Sequence, residues 1–170
     1  MSKDNKTMAG CTATVVLITP KEIYCANAGD SRTVLSKGKK AVDLSVDHKP
    51  NDPEELRRIV AASGFVEDNR VNGSLNLSRS LGDFTYKQCA TKPYNEQMVI
   101  VVPEIRTVER MPGKDQFLIL ACDGIWDCMS SEECVENFRK KLTNRDLNNS
   151  KCTAQCVENL FDEICAHDIL

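Results

Sequence analysis

The chain contains 170 residues, of which 41% are hydrophobic and 28% are charged, and its formal net charge at pH 7 is −3. This length suits one ordinary domain, and the composition is typical of a protein with a hydrophobic core and a charged surface. Charges of both signs are interspersed, which argues against nucleic acid as a partner, and the sequence shows neither an apolar run that could span a membrane nor the apolar core of a signal peptide.

The first part of the chain is predicted to form short antiparallel strands. Residues 12–18 are β-branched and apolar, residues 23–28 resume this pattern after a turn, and residues 32–35 continue it beyond Gly29. Short strands joined by tight turns are typical of an antiparallel sheet.

A helix is predicted to follow these strands. Asp52 is a candidate N-cap, and Pro53 suits the first helical position. Ile59 lies in the apolar stripe of this helix, and Gly64 is expected to end it.

The second half of the chain is predicted to add strands and to end with helices. After short strand pieces and a polar loop, strands are predicted at residues 99–102, 105–108 and 116–122. The last of these is predicted to be central in its sheet. Ser130 and Glu133 form a capping box for one helix, and a second helix is expected to begin near Ser150. Because strands come first and helices follow, the order favours an α+β fold that forms one domain or part of one.

The nine cysteines are an odd number and form no C-x-x-C pair. Most lie within apolar patterns, which is typical of free buried thiols in a reducing compartment: these are Cys25, Cys122, Cys134, Cys152, Cys156 and Cys165. The Cys and His spacing of a structural zinc site is absent. We therefore expect a cytoplasmic or nuclear location.

The most informative segment is the apolar run at residues 118–122, which leads into a turn that holds Asp123 and Asp127. An unpaired carboxylate costs several kcal/mol to bury, so this turn needs a metal ion or a cationic partner. If the segment turns helically, both carboxylates lie on the same side, and such oxygen ligands suit Mg²⁺ or Mn²⁺ rather than zinc. The alternative is a plain strand followed by a helix with Asp123 as its N-cap.

Two further polar residues, Asp30 and Arg79, are candidates for the same site. Asp30 is a third possible oxygen ligand, although a local pair with Arg32 in a hairpin turn is the alternative. Arg79 is a candidate for binding phosphate through its bidentate fork, and its alternative is an ion pair with Asp83. His48 is interpreted as a packing or surface residue rather than as a general acid.

Six short motifs occur in one order between residues 10 and 127. They are Gly-Cys-Thr-Ala at 10–13, Asn-Ala-Gly-Asp-Ser-Arg at 27–32, Asp-His-Lys-Pro at 47–50, Arg-Val-Asn-Gly-Ser-Leu at 70–75, Ser-Arg-Ser-Leu-Gly-Asp at 78–83 and Ala-Cys-Asp-Gly-Ile-Trp-Asp at 121–127. Each motif alone is weak, whereas the ordered set is specific. The chain resembles the type 2C metal-dependent protein serine/threonine phosphatases.

This resemblance implies a fold, a substrate and a cofactor. The family fold is an antiparallel β-sandwich flanked by helices, and the family removes phosphate from phosphoserine and phosphothreonine in proteins. Its site holds two Mn²⁺ or Mg²⁺ ions, with a third in some members. By resemblance, Asp123 is the catalytic residue that binds a metal of the pair, and Asp30, Asp123 and Asp127 surround the third ion. The metal pair neutralises the phosphomonoester and activates a bridging water for in-line attack.

The chain also departs from the family pattern. The Glu and the Asp-Gly-His-Gly motif, the phosphate-binding arginine, the catalytic histidine and the last Asp-Asn metal motif have no counterpart. We therefore expect residues 1–170 to be a single partial catalytic domain, incomplete at both ends, with open sheet edges, exposed core and little activity of its own. A catalytically inactive phosphatase-like scaffold is the alternative, and a calcium-binding module is a weaker one, because the oxygen ligands of an EF-hand loop are absent.

Overall fold

The structure is a computed structural model that describes residues 9–142 and 150–167. The strands are β1 (Gly10–Cys11), β2 (Ala13–Ile18), β3 (Glu22–Ala28), β4 (Arg32–Lys37), β5 (Lys40–Asp43), β6 (Val66–Glu67), β7 (Arg70–Val71), β8 (Leu81–Gly82), β9 (Glu104–Glu109) and β10 (Asp115–Ala121). The helices are α1 (Pro53–Ala61), α2 (Asp123–Trp126), α3 (Ser131–Leu142) and α4 (Ser150–His167), with a 3-10 turn at Phe84–Tyr86. None of the described helices combines the length and the apolar character that crossing a membrane requires.

Two three-stranded sheets, β2-β3-β9 and β10-β4-β5, form the main β structure, and β1-β8 and β6-β7 form two small ribbons. The strands of the first sheet run antiparallel, as do β4 and β5. The predicted α+β class with antiparallel sheets is therefore confirmed. The chain divides into two compact units. Among the described residues, the first unit contains everything up to Thr33 together with Leu44–Arg110, and the second contains Val34–Asp43 and the residues from Met111 onward.

The hairpin of β2 and β3 forms where the sequence predicts it. Thr19 closes the turn, because its amide donates to the Glu22 carbonyl at 2.8 Å and its hydroxyl oxygen accepts from the Glu22 amide at 2.9 Å. The strands then pair in a register that places Val15 opposite Ala26 and Leu17 opposite Tyr24.

Helix α1 anchors the core of the first unit. Ile59 on this helix packs with Val71 and Val99, all fully buried. The helix ends near Gly64 as predicted, and the Gly64 amide donates to the Ile59 carbonyl at 2.9 Å. Asp52 occupies the N-cap position, but its side chain accepts from the Lys49 amide at 2.9 Å instead of capping the helix.

The second unit is built from β10, β4, β5 and the helices α2–α4. Its core contains the buried side chains of Val34, Ile119, Ile125, Trp126, Cys134, Val135, Phe138, Cys156 and Leu160. The predicted capping box is confirmed, since the Ser130 hydroxyl donates to Glu133 at 2.7 Å and the Glu133 amide donates to the Ser130 hydroxyl at 3.3 Å. Helix α4 begins at Ser150 as predicted.

Two strand predictions are wrong. Residues 99–102 form no strand, because Val99 and Ile100 point into the core and the backbone makes only an isolated bridge from Ile100 to Arg79. Strand β10 lies at the edge of the described sheet rather than at its centre, since β4 is its only hydrogen-bonded neighbour there.

Apolar side chains are also exposed on the described sheets. Val15, Leu17 and Ile105 share one face of the first sheet, and all three are more than half exposed. On β10, which has a free edge among the described strands, Leu120 is exposed as well.

The nine cysteines all lie in the described segments, and none of them forms a disulfide there. Cys25, Cys134 and Cys156 are buried as predicted, and burial raises the pKa of the Cys134 thiol to about 11. Cys122 and Cys165, by contrast, are exposed. The prediction of burial is wrong for these two, because one follows an edge strand and the other lies near the end of the last helix.

The contact between Gly10 and Asp83 predicts a stability effect. A Cβ atom added at Gly10 would lie 2.0 Å from Oδ2 of Asp83, which is buried. We expect Gly10→Ala to lower the free energy of unfolding by about 1–3 kcal/mol, because overpacked side chains must shift. Gly124→Ala is the control, since a Cβ there has open space. Urea denaturation measures both, and equal effects of the two substitutions would contradict the contact.

Candidate functional site

Asp30 lies in a rigid turn that follows β3. Gly29 has a φ of 116°, and a Cβ atom there would lie 2.4 Å from Thr12, so glycine is required. His48 holds this turn, because its amide donates to the Gly29 carbonyl at 3.0 Å and its Nδ1 lies 3.2 Å from the Gly29 amide. The backbone around Asp30 is therefore well determined.

The carboxylate of Asp30 is buried and paired with Lys49. Its side chain is only 4% exposed, and Oδ2 accepts a hydrogen bond from Lys49 Nζ at 2.7 Å. The alternative of a pair with Arg32 is wrong. Arg32 instead donates two hydrogen bonds of 2.9 Å to Asp47. The negative charge of Asp30 is thus compensated by a lysine in this structure.

His48 is buried, as its interpretation as a packing residue predicts. Burial lowers the pKa of its imidazole, and the nearby positive charge of Arg79 lowers it further. Its Nε2 atom is buried without a hydrogen-bond partner among the described residues and lies 3.7 Å from Glu104 Oε2. A neutral ring that orients the Gly29 turn fits this environment.

The second unit places Asp123 at the start of α2. The segment turns helically directly after β10, as predicted, with Cys122 at the N-cap and Asp123 as the first helical residue. The alternative of Asp123 as the N-cap is therefore wrong. The Asp127 amide donates to the Asp123 carbonyl at 2.7 Å, and Trp126 fixes the turn by donating from Nε1 to the Ala121 carbonyl at 2.8 Å.

The carboxylates of Asp123 and Asp127 differ in burial. Asp123 is half-buried, whereas Asp127 is exposed. Within the described residues, neither carboxylate has a hydrogen-bond or ion-pair partner. Asp30, by contrast, is paired with Lys49.

The described residues offer only an incomplete set of metal ligands. Across residues 9–142 and 150–167, no three His, Cys, Asp or Glu side chains form a group that could hold a metal. Asp30 belongs to the first unit, and Asp123 and Asp127 belong to the second. The described residues of either unit do not make a metal centre by themselves, so the assignment of these three aspartates as ligands stays a prediction.

Arg79 is engaged in a buried ion pair with Glu55. Its Nη2 lies 2.7 Å and its Nε 3.1 Å from Glu55 Oε1, and its Nη1 donates to the Val102 carbonyl at 3.0 Å. The alternative partner, Asp83, instead accepts from the Ser80 hydroxyl at 2.5 Å, so that pairing is wrong. Phosphate binding by Arg79 stays a prediction, and it would require the guanidinium to leave Glu55.

The sequence did not reveal that Glu55 is a buried ion-pair partner. In the sequence it looks like an acidic residue that favours the N-terminal end of a helix. Glu55 is only 3% exposed. Its carboxylate accepts hydrogen bonds from Arg58 at 2.7 Å and from the Ser78 hydroxyl at 2.5 Å, in addition to those from Arg79. Burial alone would raise the pKa of this carboxyl, but the hydrogen bonds from Arg58, Arg79 and Ser78 outweigh it and lower the pKa to about 2. The arginine three residues later was the available signal.

Lys49 was also missed, although it lies within the quoted Asp-His-Lys-Pro motif. A lysine beside a proline turn carries no sequence signal for a partner that lies 19 residues away in the chain. Only the fold reveals the contact with Asp30.

Comparison with known proteins decides the family. The family model described as "Protein phosphatase 2C" matches residues 1–168. The chain belongs to the protein phosphatase 2C family.

Relatives from distant organisms agree with this assignment. "Protein phosphatase 2C homolog 2" of Schizosaccharomyces pombe is 49% identical over 159 residues, which cover 93% of this chain and 41% of the relative. "Probable protein phosphatase 2C 21" of Arabidopsis thaliana is 45% identical over 160 residues, which cover 94% of this chain and 43% of the relative. The chain therefore spans less than half the length of these two relatives.

A solved structure supports the fold. The crystal structure of a phosphatase from Toxoplasma gondii matches this chain with a TM-score of 0.74 and 34% sequence identity. The matched region covers 83% of this chain and 44% of the Toxoplasma gondii chain. The α+β architecture of this protein phosphatase 2C chain is thus shared with a solved phosphatase.

The low pKa of Glu55 predicts how acid affects this protein phosphatase 2C chain. A carboxyl with a pKa of about 2 in the folded state and 4.5 in its unperturbed state stabilises the fold fully above pH 4.5 and loses this effect as the pH falls toward 2. We expect Glu55→Gln to cost about 3 kcal/mol at pH 7, with the difference from wild type shrinking over this window.

Urea denaturation between pH 7 and pH 2.5 measures this effect. Glu54→Gln is the control, because Glu54 is an exposed neighbour on the same helix and should change little. A Glu55→Gln variant whose deficit stays constant below pH 4.5 would contradict the assigned shift.

Proposed function

We propose that the full-length protein hydrolyses phosphoserine and phosphothreonine in proteins, in a reaction that requires Mn²⁺ or Mg²⁺. The family match over residues 1–168 is the observation that carries this proposal. Phosphorylated proteins are the proposed substrates, and a binuclear metal site that activates water is the proposed chemistry.

Asp123 is the residue of this chain that we propose as a ligand of the metal pair. Its carboxylate follows an apolar strand and begins a helix that is pinned by the Trp126 hydrogen bond to Ala121. A half-buried carboxylate without a partner among the described residues is suited to bind a cation. We propose Asp127, four residues later, and Asp30 as additional metal ligands.

One observation favours a second function, that of an inactive binding protein with a phosphatase-like fold. Asp30 is already neutralised by Lys49. A protein that only binds partners needs no cation at these positions. Metal dependence therefore separates the two proposals.

We also propose that the protein resides in the cytoplasm or the nucleus. The nine cysteines remain unpaired in the structure, which suits a reducing compartment.

Substitution of Asp123 tests the enzymatic proposal. We expect Asp123→Asn in the full-length protein to lower kcat/KM for a phosphothreonine peptide with Mn²⁺ by roughly a hundredfold or more, because a charged metal ligand is lost. Asp162→Asn is the control, since Asp162 is exposed on α4 in the same unit. Hydrolysis that proceeds equally well in Asp123→Asn, or no hydrolysis at all by the wild type, would contradict the proposal.

A further inference from the structure

We propose that a polar cavity in the first unit binds the extended polypeptide of a phosphoprotein substrate. The cavity has a volume of about 390 Å³. It is lined by Lys49, Asn51, Asp68, Asn69, Arg70 and Asn76. This inference rests on the proposed function, because that function makes phosphorylated proteins the ligands of the chain. It adds the place where the polypeptide around the phosphorylated residue is held.

The walls of this cavity are fixed by the fold of the first unit, to which all of its lining residues belong. Ribbon β6-β7 supplies one wall and is anchored by Val71, which is fully buried in the core. The turn of this ribbon is joined to the opposite wall by a hydrogen bond from Asn51 Nδ2 to Asn69 Oδ1. A cavity with such fixed walls is formed before a ligand arrives, so that little loss of conformational entropy opposes binding.

The side-chain amides of the cavity offer hydrogen-bonding groups that the described residues leave unused. The bond between Asn51 and Asn69 leaves Asn51 Oδ1 as an acceptor and Asn69 Nδ2 as a donor. The side-chain amide of Asn76 forms no hydrogen bond with any described residue. The cavity therefore presents free donors and free acceptors together, and a ligand that carries both kinds of group satisfies them.

The charges of the lining argue against a simple anion as the ligand. The ammonium group of Lys49 is already paired with Asp30 at 2.7 Å. The guanidinium of Arg70 donates to the Ser74 carbonyl at 2.8 Å, and the carboxylate of Asp68 in the same lining repels an anion. An apolar ligand is also disfavoured, since no apolar side chain is among the described residues that line the cavity.

An extended polypeptide fits this lining. Its main chain presents an N–H donor and a C=O acceptor at nearly every residue, and side-chain amides match both. Main-chain hydrogen bonds of this kind supply affinity in other modes of peptide recognition. Lys49 lines the cavity and also bonds Asp30, so the cavity adjoins a turn that the proposed function assigns to the reaction site.

Removal of single amides from the cavity tests the proposal in the full-length protein. The probe is a fluorescent phosphothreonine peptide, and its affinity is measured by anisotropy in the presence of a chelator, which prevents metal-dependent hydrolysis. We expect Asn76→Ala and Asn51→Ala each to lower the affinity roughly three- to tenfold, because each removes a neutral hydrogen-bonding group. Asn51 is exposed, so this variant serves if Asn76→Ala fails to fold.

Methylation of the peptide's own amide nitrogens tests whether the main chain is recognised. In a series of peptides that each carry one N-methyl group, we expect at least one to bind the wild type roughly three- to tenfold more weakly, because a main-chain donor is lost. This penalty should disappear in the variant that lacks the matching acceptor, Asn76→Ala or Asn51→Ala. A penalty that persists unchanged in both variants would overturn the proposal.

Two controls make the result specific. Asn95→Ala removes an exposed asparagine of the same unit that does not line the cavity, and it should leave the affinity unchanged. An unphosphorylated peptide of the same sequence should lose affinity for Asn76→Ala by the same factor as the phosphorylated one. The proposal fails if the wild type binds no peptide, if both cavity variants bind like the wild type, or if only the phosphorylated peptide shows the loss.

The outcomes also separate this inference from the proposed function. If Asp123→Asn abolishes phosphopeptide hydrolysis while Asn51→Ala and Asn76→Ala bind the peptide like the wild type, the phosphatase proposal stands and the cavity proposal fails. If these two variants lose affinity while the full-length protein hydrolyses no phosphopeptide, the cavity stands as a polypeptide-binding site without the enzyme.

Discussion

The compensation of buried negative charge is the constraint on which the first unit depends. Glu55 is almost completely buried, and its carboxylate accepts hydrogen bonds from Arg58, Arg79 and Ser78. Arg79 also donates to the carbonyl of Val102. One carboxylate thus joins helix α1 to the segment before β8 and to the segment before β9. Removal of this charge leaves two arginines without their anion, which is why such pairs are costly to break.

Asp30 meets the same constraint with a different kind of partner. The arginines around Glu55 are themselves mostly shielded from solvent, whereas Lys49 is more than a third exposed. The guanidinium of an arginine is a planar fork with several fixed donors, whereas the ammonium group of a lysine is a single charge on a flexible stem. Asp123, half-buried at the start of α2 and without a partner among the described residues, represents a third case. These three acids therefore differ in how completely the described residues compensate their negative charge.

Local signals in the sequence predicted local structure well. The turn at Thr19, the proline at the start of α1 and the capping box of Ser130 and Glu133 each act within a few residues, so they are readable without the fold. The ordered motifs predicted the family and, through it, the α+β architecture. Their strength lies in their order along the chain rather than in any single residue.

The partners of the charged residues were not predictable in the same way. For Arg79 the sequence offered phosphate binding or an ion pair with Asp83, four residues away, whereas the ion pair that Arg79 forms is with Glu55, 24 residues earlier. Asp30 was expected to pair with Arg32 or a metal, but Lys49 lies 19 residues later. A long charged side chain has several candidate partners of equal chemistry, and only the packing of α1 and the turn at Gly29 selects among them. The edge position of β10 escaped prediction for a related reason, because an apolar run does not reveal how many neighbours a strand has.

Asp123, at the start of α2, is the proposed metal ligand of the phosphatase. Crystals of the full-length protein grown with Mn²⁺, with diffraction data collected on both sides of the manganese absorption edge, test this assignment most directly. We expect an anomalous peak in direct coordination contact with the Asp123 carboxylate. Well-ordered manganese elsewhere, with the Asp123 carboxylate bound only by water or by a basic side chain, would contradict it.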